Sequence, residues 1–486
     1  MRADPTTRAV LLGLAVATAG CSTLFRPEGD GGWTRSRREA ERAERAAAAL
    51  VPIDGQVVAE PMPASGMLTL PAALALAATG NRRIAEAGRD VDIAAARVRE
   101  ARAGLLPSTT ASGRYNWYTD PLTNRLPFDA AAVDFPVPET IVIREDEVGT
   151  AGAMLSQPID LSGELRHVLE AAQAGYRGER ARAWAVTLDE QLAVTRAYFG
   201  LLEEQRLFEV VEQRLVVQRT QLANAEARFD AGRLTKNELL VVQVTLRNTE
   251  QQRLRRELGI DRARWTLNAT TGLPIDAPTA VADVSEPPVL PPIDEVLRET
   301  MHENPVLTGL QEEQQRLEHS ATALARARLP RFAGGGTVDY SSQDIIEPKT
   351  VGAGFVGFSW DLGTDGRREA ALAAARIAAD RNRLVVEREM RVLEQTVRAT
   401  YRVAEERLAA LATAREAVVQ AEENLRIRED QFEVGRATSD DVLDAEALLA
   451  RERASAANAL YQAHARRAEL QQLVGRSVDT LYTEAR

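Results

Sequence analysis

FEVGRATSDDVL, residues 432–443, repeats the plan of FDAGRLTKNELL, residues 229–240. Phe, Gly, Arg and Thr recur at matching places. An acid follows each glycine by six residues, Glu238 after Gly232 and Asp441 after Gly435. Long amphipathic runs flank both copies, and a glycine between such runs ends one helix and lets the next begin. The chain therefore breaks two long helices at small loops and places acids just beyond each break.

The repetition extends outward from these loops. LTLPAALALAATGNRRIAEAG (68–88) matches PPIDEVLRETMHENPVLTGLQ (291–311), with Asn81 over Asn304, and Pro107 falls over Pro330 at the same offset of 223. Beyond the strands, Phe229/Phe432, Gly232/Gly435 and Gly272/Gly475 align at an offset of 203, so one segment between about 118 and 150 is longer in the first copy. Preserved register on both sides of one insertion marks a tandem repeat. The copies span 67–272 and 295–476, joined by a connector over 273–294, and 477–486 form a C-terminal tail. The stretch 272–294 carries six prolines and reads as extended chain.

Within each copy the pattern predicts a helix, two strands, a very long helix, a tip turn and a returning helix. Residues 164–231 contain no proline and can form one helix of about 100 Å at 1.5 Å per residue; the second long helix is expected over 366–433. The returning helices are expected over 235–271 and 438–473. Phe208, Val211, Leu215, Leu222, Ala225 and Phe229 recur every three to four residues, with Gln218 a polar entry, and the second copy keeps the seam with Arg428 as its polar entry. That period implies helices coiled left-handedly against neighbours.

The strands are expected at about 108–118, 149–158, 331–341 and 350–360. STTASGRYNW (108–117) alternates polar and less polar residues, and each run is close to the length a tilted strand needs to cross a bilayer. Tyr115, Trp117, Tyr118, Tyr340 and Trp360 sit near strand ends, where membrane barrels carry aromatic girdles. Four strands cannot close a barrel, and open edges in lipid leave unpaired backbone groups. If these strands enter a membrane, several chains must share one barrel.

The formal charge is −11, from 60 Lys and Arg against 71 Asp and Glu, with no basic stripe to bind nucleic acid. Arg2 and Arg8 precede an apolar run from Ala9 to Ala19 and then Gly20-Cys21. This reads as a secretory signal over 1–20, and the only cysteine in the chain, Cys21, is expected to become a lipid-acylated N-terminus at the head of a linker over 21–66. Ser22, in place of an acid, favours the outer membrane. After the signal no apolar run reaches 18 residues, so any crossing must use strands.

These features together resemble the TolC-like outer membrane efflux family, lipoprotein type, over nearly all of 68–476. LTLPAALALA followed by Asn81, and FEVGRATSDDVLDAEALL at 432–449, carry the likeness. The resemblance implies a mainly α protomer with a small β part. Three such chains would form a twelve-stranded outer-membrane β-barrel continued by a periplasmic α-helical coiled barrel. It implies an exit duct, fed through a periplasmic adaptor by an inner-membrane transporter. Gly232 with Arg233, and Gly435 with Arg436, would be adaptor-docking turns. Asp441 and Asp444 would ring a periplasmic aperture, since residues three apart share a helix face; the same acids also suit a helix N-terminus through its dipole. In the family's best-known pattern a Tyr and an Arg hold the closed state against an acid. Here Phe432 and Ala437 stand at those places while Glu238 supplies the acid. Arg436 is the substitute expected for the missing Arg.

Two other classes are open from the residues alone. A lipid-anchored periplasmic coiled-coil scaffold without a pore would use the strands as soluble hairpins. An enzyme would need chemistry that is not visible: there is no phosphate-binding loop or nucleophile elbow. His167, His302, His319 and His464 are scattered without metal-ligand spacing and read as surface helix residues. No cofactor or metal is expected.

Overall fold

The computed structural model describes residues 66–125, 140–284, 286–363, 366–434 and 436–479. Cys21 and the signal lie outside the described residues, as do 126–139 of the inserted segment. The duplication is visible in helix lengths. The first copy holds α1 (Leu70–Gly80), α2 (Arg82–Ala103), α3 (Glu164–Asp230) and α4 (Lys236–Thr271), of 11, 22, 67 and 36 residues. The second holds α5 (Ile293–Glu303), α6 (Pro305–Arg326), α7 (Arg367–Glu433) and α8 (Ser439–Val474), with the same four lengths.

Where one helix is expected before each strand pair, the structure has two, because an asparagine interrupts the first. Asn81 takes an extended backbone, and its Oδ1 accepts from the Arg83 and Ile84 N–H groups at 2.9 and 3.4 Å. Asn304 does the same for Val306 and Leu307 at 2.9 and 3.2 Å. Each side-chain oxygen thus satisfies donors that open a helix. Each amide nitrogen reaches elsewhere: Asn81 Nδ2 donates to the Thr270 carbonyl at 3.1 Å, and Asn304 Nδ2 to the Leu473 carbonyl at 2.8 Å. The end of α4 therefore abuts the start of α2, and the end of α8 the start of α6.

Glycine is required at that junction. Gly272 closes α4 at φ +80°, and a Cβ there would lie 2.5 Å from the Gly80 carbonyl oxygen. Left-handed backbone alone costs an L-residue roughly 1–2 kcal/mol, and the contact forces the two helix ends apart. Gly272→Ala is expected to lower the thermal midpoint by several degrees, read by circular dichroism on the purified protein; an unchanged midpoint would mean the junction carries little of the stability.

The main core sits where the connector crosses the helices. Tyr198 and Phe199 of α3 are buried with Leu68, Leu267, Tyr461 and Val478. The Tyr198 hydroxyl is within 3.1 Å of the Leu68 carbonyl and 2.5 Å of the Ala282 carbonyl, beside a short parallel pair of β1 (Met67–Leu68) and β6 (Ala280–Val281). His464 belongs to this core and is not a surface residue. Its ring stacks on Phe199 at 4.7 Å, Nε2 sits 2.8 Å from the Glu286 carbonyl, and burial lowers its pKa to about 4. No described helix is long and apolar enough to cross a membrane.

β2 (Ser108–Trp117), β5 (Glu147–Ile159), β7 (Arg331–Ser341) and β8 (Thr350–Ser359) form one antiparallel sheet in the order β2-β5-β7-β8. Directly paired residues share a face. The register Tyr115↔Gly149, Ala153↔Val338, Phe332↔Phe358 and Gly334↔Val356 therefore gathers Tyr115, Trp117, Leu155, Phe332, Val338, Tyr340, Val356 and Phe358 on one side. Arg114, Thr150, Thr337, Asp339 and most of the Ser and Thr residues take the other. The apolar side is bare: Val356 is 82% exposed and Phe358 68%. Part of the insertion folds as a hairpin of β3 (Leu122–Arg125) and β4 (Thr140–Arg144), pinned by the Arg144 guanidinium 3.6 Å above the Tyr118 ring.

Candidate functional site

At the far end of α3 the chain turns tightly. The Ala231, Gly232 and Arg233 N–H groups donate to the Ala227, Phe229 and Arg228 carbonyls at 3.1, 2.9 and 2.8 Å. Gly232 sits at φ +70°, so the last bond can wrap back over the helix end. In the second turn the Arg436 N–H donates to the Gln431 carbonyl at 2.7 Å. Gly435 itself lies outside the described residues. Both Arg233 and Arg436 are exposed, so each turn presents a guanidinium to solvent.

Thr235 and Thr438 begin the returning helices, and each builds a reciprocal cap with the acid three residues on. Glu238 accepts from the Thr235 N–H at 2.8 Å and from its hydroxyl at 2.7 Å, while the Glu238 N–H returns to the Thr235 hydroxyl at 3.3 Å. Asp441 accepts from Thr438 at 2.8 and 2.7 Å and returns a bond of 3.2 Å. The lock acid and the first aperture acid are thus one position of the repeat. The Thr235 hydroxyl and N–H hold Glu238 below the usual carboxylate range, and the Thr438 N–H and hydroxyl do the same for Asp441. Lowered carboxylate pKa values stabilise the tip above the ordinary range, and the benefit is lost as pH falls through the folded values. Asp444 lies one turn further and is exposed.

Phe432 is covered within its own chain. The Arg228 guanidinium lies 4.2 Å over its ring, a cation–π contact that joins the ends of the two long helices. Glu238 and Arg436 each bond within their own turn. Behind the turns Ala225, Val242 and Leu443 pack with Leu222, Leu234 and Leu239.

Deeper in the bundle lies a polar layer that the sequence signals only through the seam residue Gln218. Gln218 is 1% exposed, and neither of its side-chain amide atoms has a partner among the described residues. Gln221 Nε2 donates to Glu446 Oε1 at 2.5 Å, while Glu446 Oε2 is buried without a partner among the described residues. Burial, with Glu429 adding repulsion against the attraction of Arg214, pushes the Glu446 pKa up to about 7. A raised folded pKa means the charged form is disfavoured in the fold. The layer is therefore most stable below the unfolded carboxylate pKa and loses stability as pH rises through about 7. Glu446→Gln is expected to raise the thermal midpoint at pH 8 and leave it nearly unchanged at pH 5. Equal shifts at both values would show that Glu446 does not titrate there.

The sequence profile of the outer membrane efflux protein family matches residues 73–273 and 296–476, one match to each copy. The chain belongs to that family. Solved structures carry the same fold. The outer membrane protein VceC of Vibrio cholerae superposes with a TM-score of 0.70 at 17% identity, over 84% of this chain and 96% of that one. The CmeC outer membrane channel of Campylobacter jejuni gives 0.71 at 15%, over 86% and 88%. The MtrE outer membrane channel of Neisseria gonorrhoeae, in its open state, gives 0.67 at 18%, over 84% and 89%. None of the curated proteins matches the chain in sequence.

In this outer membrane efflux protein two of the histidines are not scattered. His167 of α3 and His319 of α6, 152 residues apart, bring their Nδ1 atoms within 3.4 Å of each other. Glu170 joins them. Nothing in either copy's local sequence signals that meeting, because it depends on how α3 of one copy packs on α6 of the other.

Proposed function

We propose that three copies of this chain form an exit duct in the outer membrane. Twelve strands, four from each chain, close one barrel, and the long helices continue it as a tube through the periplasm. Substrates pass passively from an inner-membrane transporter, handed over by a periplasmic adaptor. The observation that supports this best is the sheet. Its outer strands β2 and β8 each pair on one side only among the described residues, and one face gathers exposed apolar side chains such as Trp117, Val356 and Phe358. Open edges are costly in lipid and vanish on closure. Acylation at Cys21 would anchor each chain to the same membrane.

The adaptor would dock on the two kinds of tip turn, Gly232-Arg233 and Gly435-Arg436, alternating around the threefold axis. Asp444, with Asp441 one turn above it, would line a constriction with stacked rings of carboxylates that favour cations. Because Thr438 already engages Asp441, Asp444 is the freer ring. Arg436 would stand in for the missing lock Arg by reaching Glu238 of a neighbouring tip. The adaptor and transporter are inferred from the family.

Planar-bilayer recording of the purified protein tests the duct. Small cation-selective steps, together with a heat-resistant trimer on gels, are expected. Well-folded protein that inserts but gives no channels would favour a pore-free, lipid-anchored scaffold. Arg436→Ala is expected to raise the resting leak; an unchanged leak removes Arg436 from the lock.

A further inference from the structure

The cluster of His167, Glu170 and His319 has the donor set and spacing of a transition-metal site. His167 and Glu170 are three apart on α3 and share its face, and His319 comes across from α6. Glu170 Oε2 lies 2.8 Å from His167 Nδ1 and 3.1 Å from His319 Nδ1, and the two nitrogens are 3.4 Å apart. A tetrahedral ion with metal–nitrogen bonds of about 2.0–2.1 Å holds its ligand atoms about 3.3–3.4 Å apart. The two nitrogens already stand at that separation. The carboxylate needs to move out by only a few tenths of an ångström.

The surroundings suit an ion as well. The three side chains are 26%, 28% and 34% exposed, so an ion could enter and keep a water as fourth ligand. Arg166 Nε holds the other carboxylate oxygen, Oε1, at 3.1 Å and leaves Oε2 turned to the imidazoles. The rings lie nearly parallel, at 27°, with both Nδ1 atoms converging on that oxygen. Two imidazoles and one carboxylate form a borderline donor set that suits zinc better than calcium or magnesium.

We infer that His167, Glu170 and His319 bind a divalent transition-metal ion, zinc by donor type, which clamps the first copy's long helix to the second copy's α6. The site lies one turn into α3 and two turns before the end of α6, next to the ends of strands β5 and β7. There a clamp would fix how the helical part meets the sheet.

Zn2+ is titrated against a chromophoric competitor into purified full-length protein that carries no polyhistidine tag, and Co2+ is then substituted for its absorption spectrum. One ion per chain is expected, with the visible bands of a four-coordinate Co2+ site. His167→Ala and His319→Ala should each weaken binding by more than the roughly 10–100-fold seen for outer-shell partners. Asp444→Ala should leave it intact, which separates this site from the tip acids. Zinc should also raise the thermal midpoint of the wild type but not of His319→Ala. If His319→Ala fails to fold, Glu170→Gln, which keeps the shape and removes the ligand charge, serves instead with the same expected loss. Undiminished binding in both folded variants, or no stoichiometric binding by the wild type, would overturn the site and leave Glu170 as a hydrogen-bond partner for two imidazoles.

Discussion

Val356→Arg is expected to abolish the heat-resistant trimer. Val356 pairs with Gly334 across β7 and β8 and is 82% exposed on the apolar face of the sheet. In a closed barrel that face meets lipid. An arginine near the bilayer midplane costs roughly 2–4 kcal/mol, and each barrel would carry three of them. Thr337→Arg supplies the control. Thr337 pairs with Ala353 on the opposite face, which would line the lumen, so the trimer should survive and only conductance should change. Gel mobility without boiling, with insertion into lipid vesicles, reads both variants. Equal loss in both would mean the face assignment is wrong; equal survival would mean the sheet does not meet lipid.

The second large effect is expected at the tip, where two neighbouring acids should separate in kind. Asp444→Ala removes an exposed carboxylate and no cap, so cation selectivity in planar bilayers should fall while the thermal midpoint holds. Asp441→Ala removes the acid that accepts from both donors of Thr438. Without it the Thr438 N–H and hydroxyl lose their acceptor and only half of the reciprocal cap remains, so the start of α8 should loosen, and single-channel steps should become larger and noisier. Asp441→Asn, which can still accept a bond, should recover much of the order but not the charge. Identical behaviour of the two alanine variants would indicate that charge alone governs the aperture.

The fold class was legible because its causes are periodic and repeated. An offset held on both sides of one insertion, a seam at coiled-coil spacing and short alternating strands are properties a single chain displays. The family followed from the same signals. The candidate site was legible only as far as local chemistry reaches. T-x-x-E at Thr235–Glu238 and T-x-x-D at Thr438–Asp441 are visible in the sequence as cap patterns, yet the acids read more readily as a lock and a ring. The structure adds that both carboxylates are already committed to their own helices. Glu446 and the histidine cluster escaped notice for a different reason. Burial of Glu446 depends on α3 lying across α8, and the meeting of His167 with His319 depends on packing between copies. Neither is encoded within a few residues of itself. His464 was misplaced on the same ground, since its ring is buried by Phe199 from another helix.

The matched helix lengths of the two copies make the chain a ruler with two graduated edges. Each 67-residue helix spans about 100 Å from sheet to tip, and beside it the returning helix abuts a 22-residue partner at an asparagine. A heptad removed from α3 alone would leave one kind of tip about 10 Å short of the other. A mating surface that must engage both would then see a crown with alternate teeth filed down. Changes in reach are therefore tolerable only when made in both copies together, and in both members of each stack. In the proposed duct, duplication would set a manufacturing tolerance, tying the span of the tube to agreement between two halves of one gene product.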